Sequence, residues 1–407
     1  MIFLGTFFLK RGLVREGRVA VATAGMRLRG PSMALRLAPR RWLGRQPFPQ
    51  PPGGEGVADV QELLQNATVE ADEQPRKTQR AAPEETSVLL FPGQGSQFVG
   101  MGRGLLRYPN VRELFRVAEA VLGYDLWSLC RDGPDARLHR TVHSQPAVFV
   151  CSLAAVEKLH HQQPWVVESC VAAAGFSIGE YAALVFAGAI DYAEALYAVK
   201  IRAEAMQEAS EVIPSGMLSV VGRRDSDYKT ACSEAREYCK TVGIEDPVCE
   251  VSNYLFPDSR VIAGHLQALE FLQKNSRKFS FARVKMLPVS GAFHTRLMKS
   301  ATQPLAEALE SISFQPPLIP VYSNVDSKKY RQPEQIQRCL VEQLVSPVKW
   351  EQIMHTIYER NKGKMFPYTY EVGPGKQLGA ILRGCNLKAS KYYSNIDVSE
   401  DETNEET

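Results

Sequence analysis

Gly175-Phe176-Ser177-Ile178-Gly179 carries the clearest chemical signal in the chain. It follows a small-residue apolar run, Val171–Phe176, and precedes a helical run, Glu180–Ala189. A serine with glycines two residues before and after suits a strand that turns sharply into a helix and presents one side chain at the apex. The glycines remove the Cβ groups that would block such a turn. The helix N-terminus beneath the serine offers free N–H groups to a developing oxyanion. The chemistry implied is nucleophilic attack on an acyl carbon. A serine in a packing turn is the other reading of the same residues.

A serine nucleophile needs a base. His160 and His161 end a helical run beside Gln162–Gln163, and His355 sits off the apolar face of Trp350–Tyr358. His139, His143 and His265 fall in irregular stretches. His294 differs: it follows a strand-like run and turn, Met286–Phe293, and precedes a helical segment from Leu297. That reads as the end of a strand, where sheet enzymes place chemistry. A capping or buried structural histidine is the alternative. The order Ser, acid, His of α/β-hydrolases is not met, because no acid between Ser177 and His294 stands out. Something other than a carboxylate is expected to orient the imidazole.

Arg202 lies on a helix read over Asp191–Ser210 and shares a face with Met206 four residues on. It is either a salt-bridged structural residue or a clamp for a substrate carboxylate, a task that suits a planar fork that stays charged when desolvated. Ser87–Phe91 reads as a short strand ending at Pro92-Gly93-Gln94-Gly95-Ser96-Gln97. This loop is a ligand-approach turn or an ordinary tight turn. It lacks the Lys-Ser/Thr ending of a P-loop and is not a G-x-G-x-x-G dinucleotide turn.

These residues sit in a chain of 407, 44% apolar and 23% charged, long enough for a large core. The net charge of +3 is unevenly spread. Residues 1–50 hold nine Arg and one Lys against Glu16, or +9, so the other 357 residues sum to −6. The Arg-rich, acid-poor start reads as a mitochondrial targeting peptide, with Met33 as a second possible start, or else as a basic tail. The mildly acidic body argues against nucleic acid or an anionic membrane as partner. Apolar runs such as Tyr181–Ile190 are too short to span a bilayer. Eight cysteines form no C-x-x-C pair and no zinc spacing, so no metal is expected. Residues 51–85 read as a Pro/Gly-rich acidic linker, and Ser399–Thr407, with five acids in nine residues, as a solvated tail.

Taken in order, seven segments resemble one family, the malonyl-CoA:acyl carrier protein transacylases. They are Phe91–Gln97, Gly123–Leu126, the serine pentapeptide, Arg202 with Met206–Ala209, Phe293–Thr295 with Leu297-Met298, Ser323–Val325 with Ser346–Trp350, and Glu371–Lys376. The resemblance covers roughly Val88 to Arg383, and the basic leader is that of its mitochondrial, stand-alone members. It implies Ser177 as acylated nucleophile, His294 as base and then acid, and the backbone carbonyl of Gln343 as the group that orients His294. It further implies Gln94 and Ile178 N–H groups as oxyanion donors, Arg202 as holder of the malonyl carboxylate, and Met206 and Phe293 in the substrate pocket. Phe176 stands where many members have His.

By the same resemblance the chain transfers malonyl from malonyl-CoA to the phosphopantetheine thiol of acyl carrier protein in the mitochondrial matrix. No cofactor is expected beyond these substrates, and a monomer is expected. The implied fold is α/β, a hydrolase-like parallel-sheet subdomain over 86–213 and 288–390 with a ferredoxin-like insertion at 214–287 and a tail over 391–407. Gly216–Val221 and Arg260–Gly264 read as strands of the insertion, Ser226–Val242 and Leu266–Asn275 as its helices. A serine hydrolase and a non-catalytic carrier-binding scaffold are the competing readings.

Overall fold

The structure, a computed structural model, describes residues 81–361 and 364–399. The leader over 1–50, the linker up to residue 80 and the tail from residue 400 lie outside the described residues. Two sheets organise the described residues. The first is parallel throughout and contains β1 (Ser87–Phe91), β2 (Cys170–Gly175), β7 (Tyr368–Val372) and β8 (Tyr393–Ile396), in the order β2-β1-β7-β8. The second is antiparallel and contains β3 (Ser215–Val221), β4 (Cys249–Phe256), β5 (Ser259–His265) and β6 (Arg283–Met286), in the order β4-β5-β3-β6.

Every residue of β1 is buried, as expected of an inner parallel strand covered on both faces. Its side chains alternate between two layers: Leu89 and Phe91 join the larger core, Val88 and Leu90 the smaller one. Helices α1 (Val111–Leu122), α2 (Thr141–Gln162), α3 (Gly179–Phe186) and α4 (Tyr192–Val212) build the larger layer. The Asp191 side chain caps α4 by accepting from the Ala193 N–H. The inserted subdomain runs β3-α5-β4-β5-α6-β6, with α5 (Tyr228–Thr241) and α6 (Leu266–Lys274) sharing one core with the sheet. That alternation and strand order are ferredoxin-like. The chain then completes the large subdomain with α7 (Thr302–Glu310), α8 (Pro333–Glu342), α9 (Trp350–Tyr358) and α10 (Gln377–Cys385). The two subdomains are stitched by main chain: Tyr254 N–H donates to the Val348 carbonyl and Val348 N–H to the Ser252 carbonyl, each at 2.9 Å.

Two boundaries differ from the sequence expectation. The large subdomain does not end at residue 390, because β8 lies within the stretch read as tail and pairs with β7 from Thr369↔Tyr393 to Val372↔Ile396. Buried Ile396 and Val398 and a 2.6 Å hydrogen bond from the Tyr393 hydroxyl to Glu371 hold it there. The strand before His294 also ends earlier than expected, at Met286, and belongs to the antiparallel sheet. Pro288 has no N–H to extend a ladder, and Leu287–Phe293 instead crosses back between subdomains as irregular chain.

In the parallel sheet Phe91 pairs with Gly175, so the Pro92–Gln97 loop and the Ser177 turn leave adjacent strand ends side by side. Ligands in parallel α/β sheets gather at these carboxyl ends.

Candidate active site

The turn at Ser177 is built by exclusion. A Cβ on Gly175 would collide with the main chain of Gly179 and Glu180. One on Gly179 would strike the Phe91 carbonyl and lie 2.6 Å from the Pro92 carbonyl oxygen. Ser177 itself has φ 52°, in the left-handed region that non-glycine residues rarely occupy. Its conformation is held by Asn324: the Ser177 N–H donates to Asn324 Oδ1 and Asn324 Nδ2 donates to the Gly175 carbonyl, both at 2.7 Å. Gly175→Ala is therefore expected to destabilise the fold by about 3 kcal/mol, the upper range for a forced clash in a packed interior. Urea unfolding of the variant checks this, and a midpoint equal to wild type would refute the steric account.

His294 also has a left-handed backbone, φ 62°, and is 4% exposed. Its Nε2 lies 2.8 Å from Ser177 Oγ and its Nδ1 lies 2.8 Å from the Gln343 carbonyl oxygen. A carbonyl only accepts, so Nδ1 carries the proton and Nε2 is left to accept the serine hydroxyl. The oriented base thus needs no carboxylate neighbour. Burial, with the Arg202 charge, pushes the imidazole down to about 4, against the smaller upward pull of the Gln343 carbonyl. His294 is then neutral and ready as a base well below the usual histidine range. An alkyl fluorophosphonate, which carries no carboxylate, is expected to label Ser177 at pH 5 within about twofold of its rate at pH 7. A rate that halves near the ordinary histidine value would show that the imidazole is not held neutral.

Arg202 is fully buried on α4. One terminal nitrogen donates to Ser177 Oγ at 2.9 Å and Gln343 Oε1 at 2.8 Å, the other to Gln145 Oε1 at 2.7 Å. Nε is buried without a hydrogen-bond partner among the described residues, and the Tyr181 ring lies 5.7 Å from the guanidinium carbon. No carboxylate forms an ion pair with Arg202 among the described residues; its donors rest on neutral oxygens beside the nucleophile. That is the arrangement of a cation awaiting an anionic ligand rather than of a structural salt bridge.

Gln94 and Ile178 flank the serine from the loop after β1 and the start of α3. Neither main-chain N–H has an acceptor among the described residues. A cavity of about 170 Å³ opens here, lined by Gln94, Gln145, Ser177, Met206, Phe293 and His294 on one side and by Met217, Asn253 and Val261 of the inserted subdomain on the other. A second cavity of about 220 Å³ shares Gln94, Phe176, Leu287 and Val289 with it and extends along Gln377 and Ile381 of α10. All eight residues singled out from the sequence, Ser177, His294, Gln343, Gln94, Ile178, Arg202, Met206 and Phe293, thus meet at one place.

Sequence reasoning missed a buried polar layer beneath them. Glu180 is fully buried, accepts from Gln343 Nε2 and the Tyr330 hydroxyl, each at 2.5 Å, and from the Asn324 N–H. Burial raises its carboxyl to about 7 while these donors and Arg202 hold it down. Asn324 stood in a quoted motif without a role, and Glu180 directly follows the pentapeptide; only the fold shows that the two share Gln343.

A model of the acyl transferase domain family matches residues 88–365. The chain is 63% identical to the human mitochondrial malonyl-CoA-acyl carrier protein transacylase over 377 residues, 90% of this chain and 96% of the relative. It is 39% identical to the Escherichia coli K12 malonyl CoA-acyl carrier protein transacylase over 296 residues, 72% and 91% of the two chains. Among solved structures, the malonyl CoA-acyl carrier protein transacylase of Coxiella burnetii matches with a TM-score of 0.70 and 31% identity over 78% of this chain and 96% of that one. A malonyl-transacylase solved in complex with its acyl-carrier protein matches with a TM-score of 0.68 and 33% identity, over 78% and 96%.

Proposed function

The chain belongs to the acyl transferase family, among the malonyl-CoA-acyl carrier protein transacylases, and from that premise we propose how its site works. It transfers malonyl from malonyl-CoA to the phosphopantetheine thiol of acyl carrier protein. The observation that carries this reading is a buried guanidinium that no carboxylate pairs with among the described residues, 2.9 Å from a nucleophile that a neutral imidazole also holds.

Ser177 Oγ attacks the thioester carbonyl while His294 Nε2 takes its proton. The negative charge that grows on the carbonyl oxygen is received by the Gln94 and Ile178 N–H groups. Collapse breaks the C–S bond, CoA leaves with the proton from His294, and a malonyl ester remains on Ser177. The carrier thiol then gives its proton to His294, attacks the ester, and Ser177 departs with that proton. Arg202 binds the malonyl carboxylate in both halves; acylation of Oγ ends its donation to the serine hydroxyl. Met206 and Phe293 pack the short acyl group. The two-step course calls on no cofactor, since the phosphopantetheine belongs to the carrier.

The curated relatives from human, mouse and fly are mitochondrial, and so is this protein. We place it in the matrix, where the cationic residues 1–50 would direct it, as the supplier of malonyl units to fatty acid synthesis. Incubation with malonyl-CoA, with and without carrier protein, tests the reaction. Malonyl-carrier should form with CoA release in step with it. Rapid release of free malonate without carrier would favour a hydrolase instead.

A further inference from the structure

Gln145 lies on α2 near the site, is 1% exposed, and touches two groups that the proposed reaction uses separately. Its Oε1 accepts from Arg202 at 2.7 Å. Its Nε2 donates to Gln94 Oε1 at 3.1 Å and lies 3.4 Å from Met206 Sδ. Gln94 Nε2 in turn donates to Thr141 Oγ1 at 3.2 Å, and the Thr141 hydroxyl faces Ser290 Oγ at 3.4 Å.

The direction of this chain is set at one end. A guanidinium has only donors, so the Gln145 atom facing it must be oxygen. The other end of that amide must then be the donor, which makes the facing Gln94 atom an oxygen. Gln94 Nε2 is thereby turned toward Thr141. Each amide orientation follows from the charge on Arg202, and a chain of aligned hydrogen bonds reinforces itself in a buried setting.

We propose that Gln145 is a positioning residue that couples carboxylate recognition at Arg202 to the placement of the Gln94 loop. Gln94 supplies the main-chain N–H for the oxyanion, so an acyl donor that seats a carboxylate on Arg202 also steadies the oxyanion site through Gln145. Selection of the malonyl group then acts on the rate of acylation as well as on binding. This rests on the transacylase reading above.

The test is a double-mutant cycle on the rate of Ser177 malonylation, followed as adduct formation by intact-protein mass. Methionine matches glutamine in length and shape but makes neither hydrogen bond. Gln145→Met alone is expected to slow malonylation at least tenfold, with the saturating rate falling more than the affinity for malonyl-CoA. In an Arg202→Ala background the same substitution is expected to change the rate less than threefold, because the chain has already lost its direction. Equal slowing in both backgrounds, or none in either, overturns the coupling. Should Gln145→Met not fold, Thr141→Val removes the far anchor of Gln94 and is read in the same cycle with the same expected outcomes. Failure of the wild-type protein to form any malonyl-serine would overturn the transacylase reading instead, so the two claims fail separately.

Discussion

Arg202→Ala is expected to lower kcat/KM for malonyl-CoA by about 10³-fold, corresponding to ~4 kcal/mol of lost transition-state stabilisation. The guanidinium is fully buried, and its described partners are Ser177 Oγ and the side-chain oxygens of Gln145 and Gln343. Alanine would leave the malonyl carboxylate to enter a cavity with no cation to meet it, and an uncompensated buried charge is costly. Acetyl-CoA has no carboxylate and in the wild type leaves the guanidinium unpaired, so the substitution should shift the malonyl-to-acetyl ratio strongly toward acetyl. Arg202→Lys should recover little, because an ammonium cannot span Gln145, Gln343 and the substrate at once. Steady-state transfer from both donors measures this. An equal loss with both donors would mean that Arg202 supports the fold rather than selecting the acyl group.

Ser177→Ala removes the atom that becomes acylated and should cost at least about 10⁴-fold in malonyl transfer. The same position offers a second, opposite readout. Ser177 is held at φ 52°, a conformation that costs an L-residue roughly 1–2 kcal/mol and glycine almost nothing. Ser177→Gly should therefore be as inactive as the alanine variant yet more stable than it by about 1 kcal/mol. Urea unfolding of the two inactive variants side by side gives that difference. Equal stabilities would show that the turn is relaxed, and residual transfer in both variants would place the nucleophile elsewhere.

The parts of the site that could be read from the sequence are those written locally. Gly175 and Gly179 bracket Ser177 because two close main-chain approaches forbid side chains there, and that constraint survives as a short pattern. Helix α1 buries Val111, Leu114, Phe115, Ala118 and Leu122, one face at the 3.6-residue period, and strand β1 is a continuous apolar run buried at every position, with the ends Ser87 and Phe91 that its composition implies. His294 was harder, since its φ of 62° ends an irregular crossing and not a strand. The orienting group was reached only through family resemblance: a main-chain carbonyl, such as that of Gln343, leaves no side-chain signature. The layer of Glu180, Asn324, Tyr330 and Gln343 joins residues more than a hundred positions apart, and Gln145 meets Arg202 across 57. No periodicity records such contacts. Strand β8 was obscured for a different reason: it is a four-residue edge strand, half-buried, next to a run of acids.

The most direct test of the account is the mass of the intact protein after brief exposure to malonyl-CoA without carrier protein, with the modified peptide then mapped. A gain of one malonyl group is expected, located on Ser177, absent in Ser177→Ala and discharged when carrier thiol is added. An adduct on another residue, or turnover of malonyl-CoA by a protein that never carries the group, would contradict it.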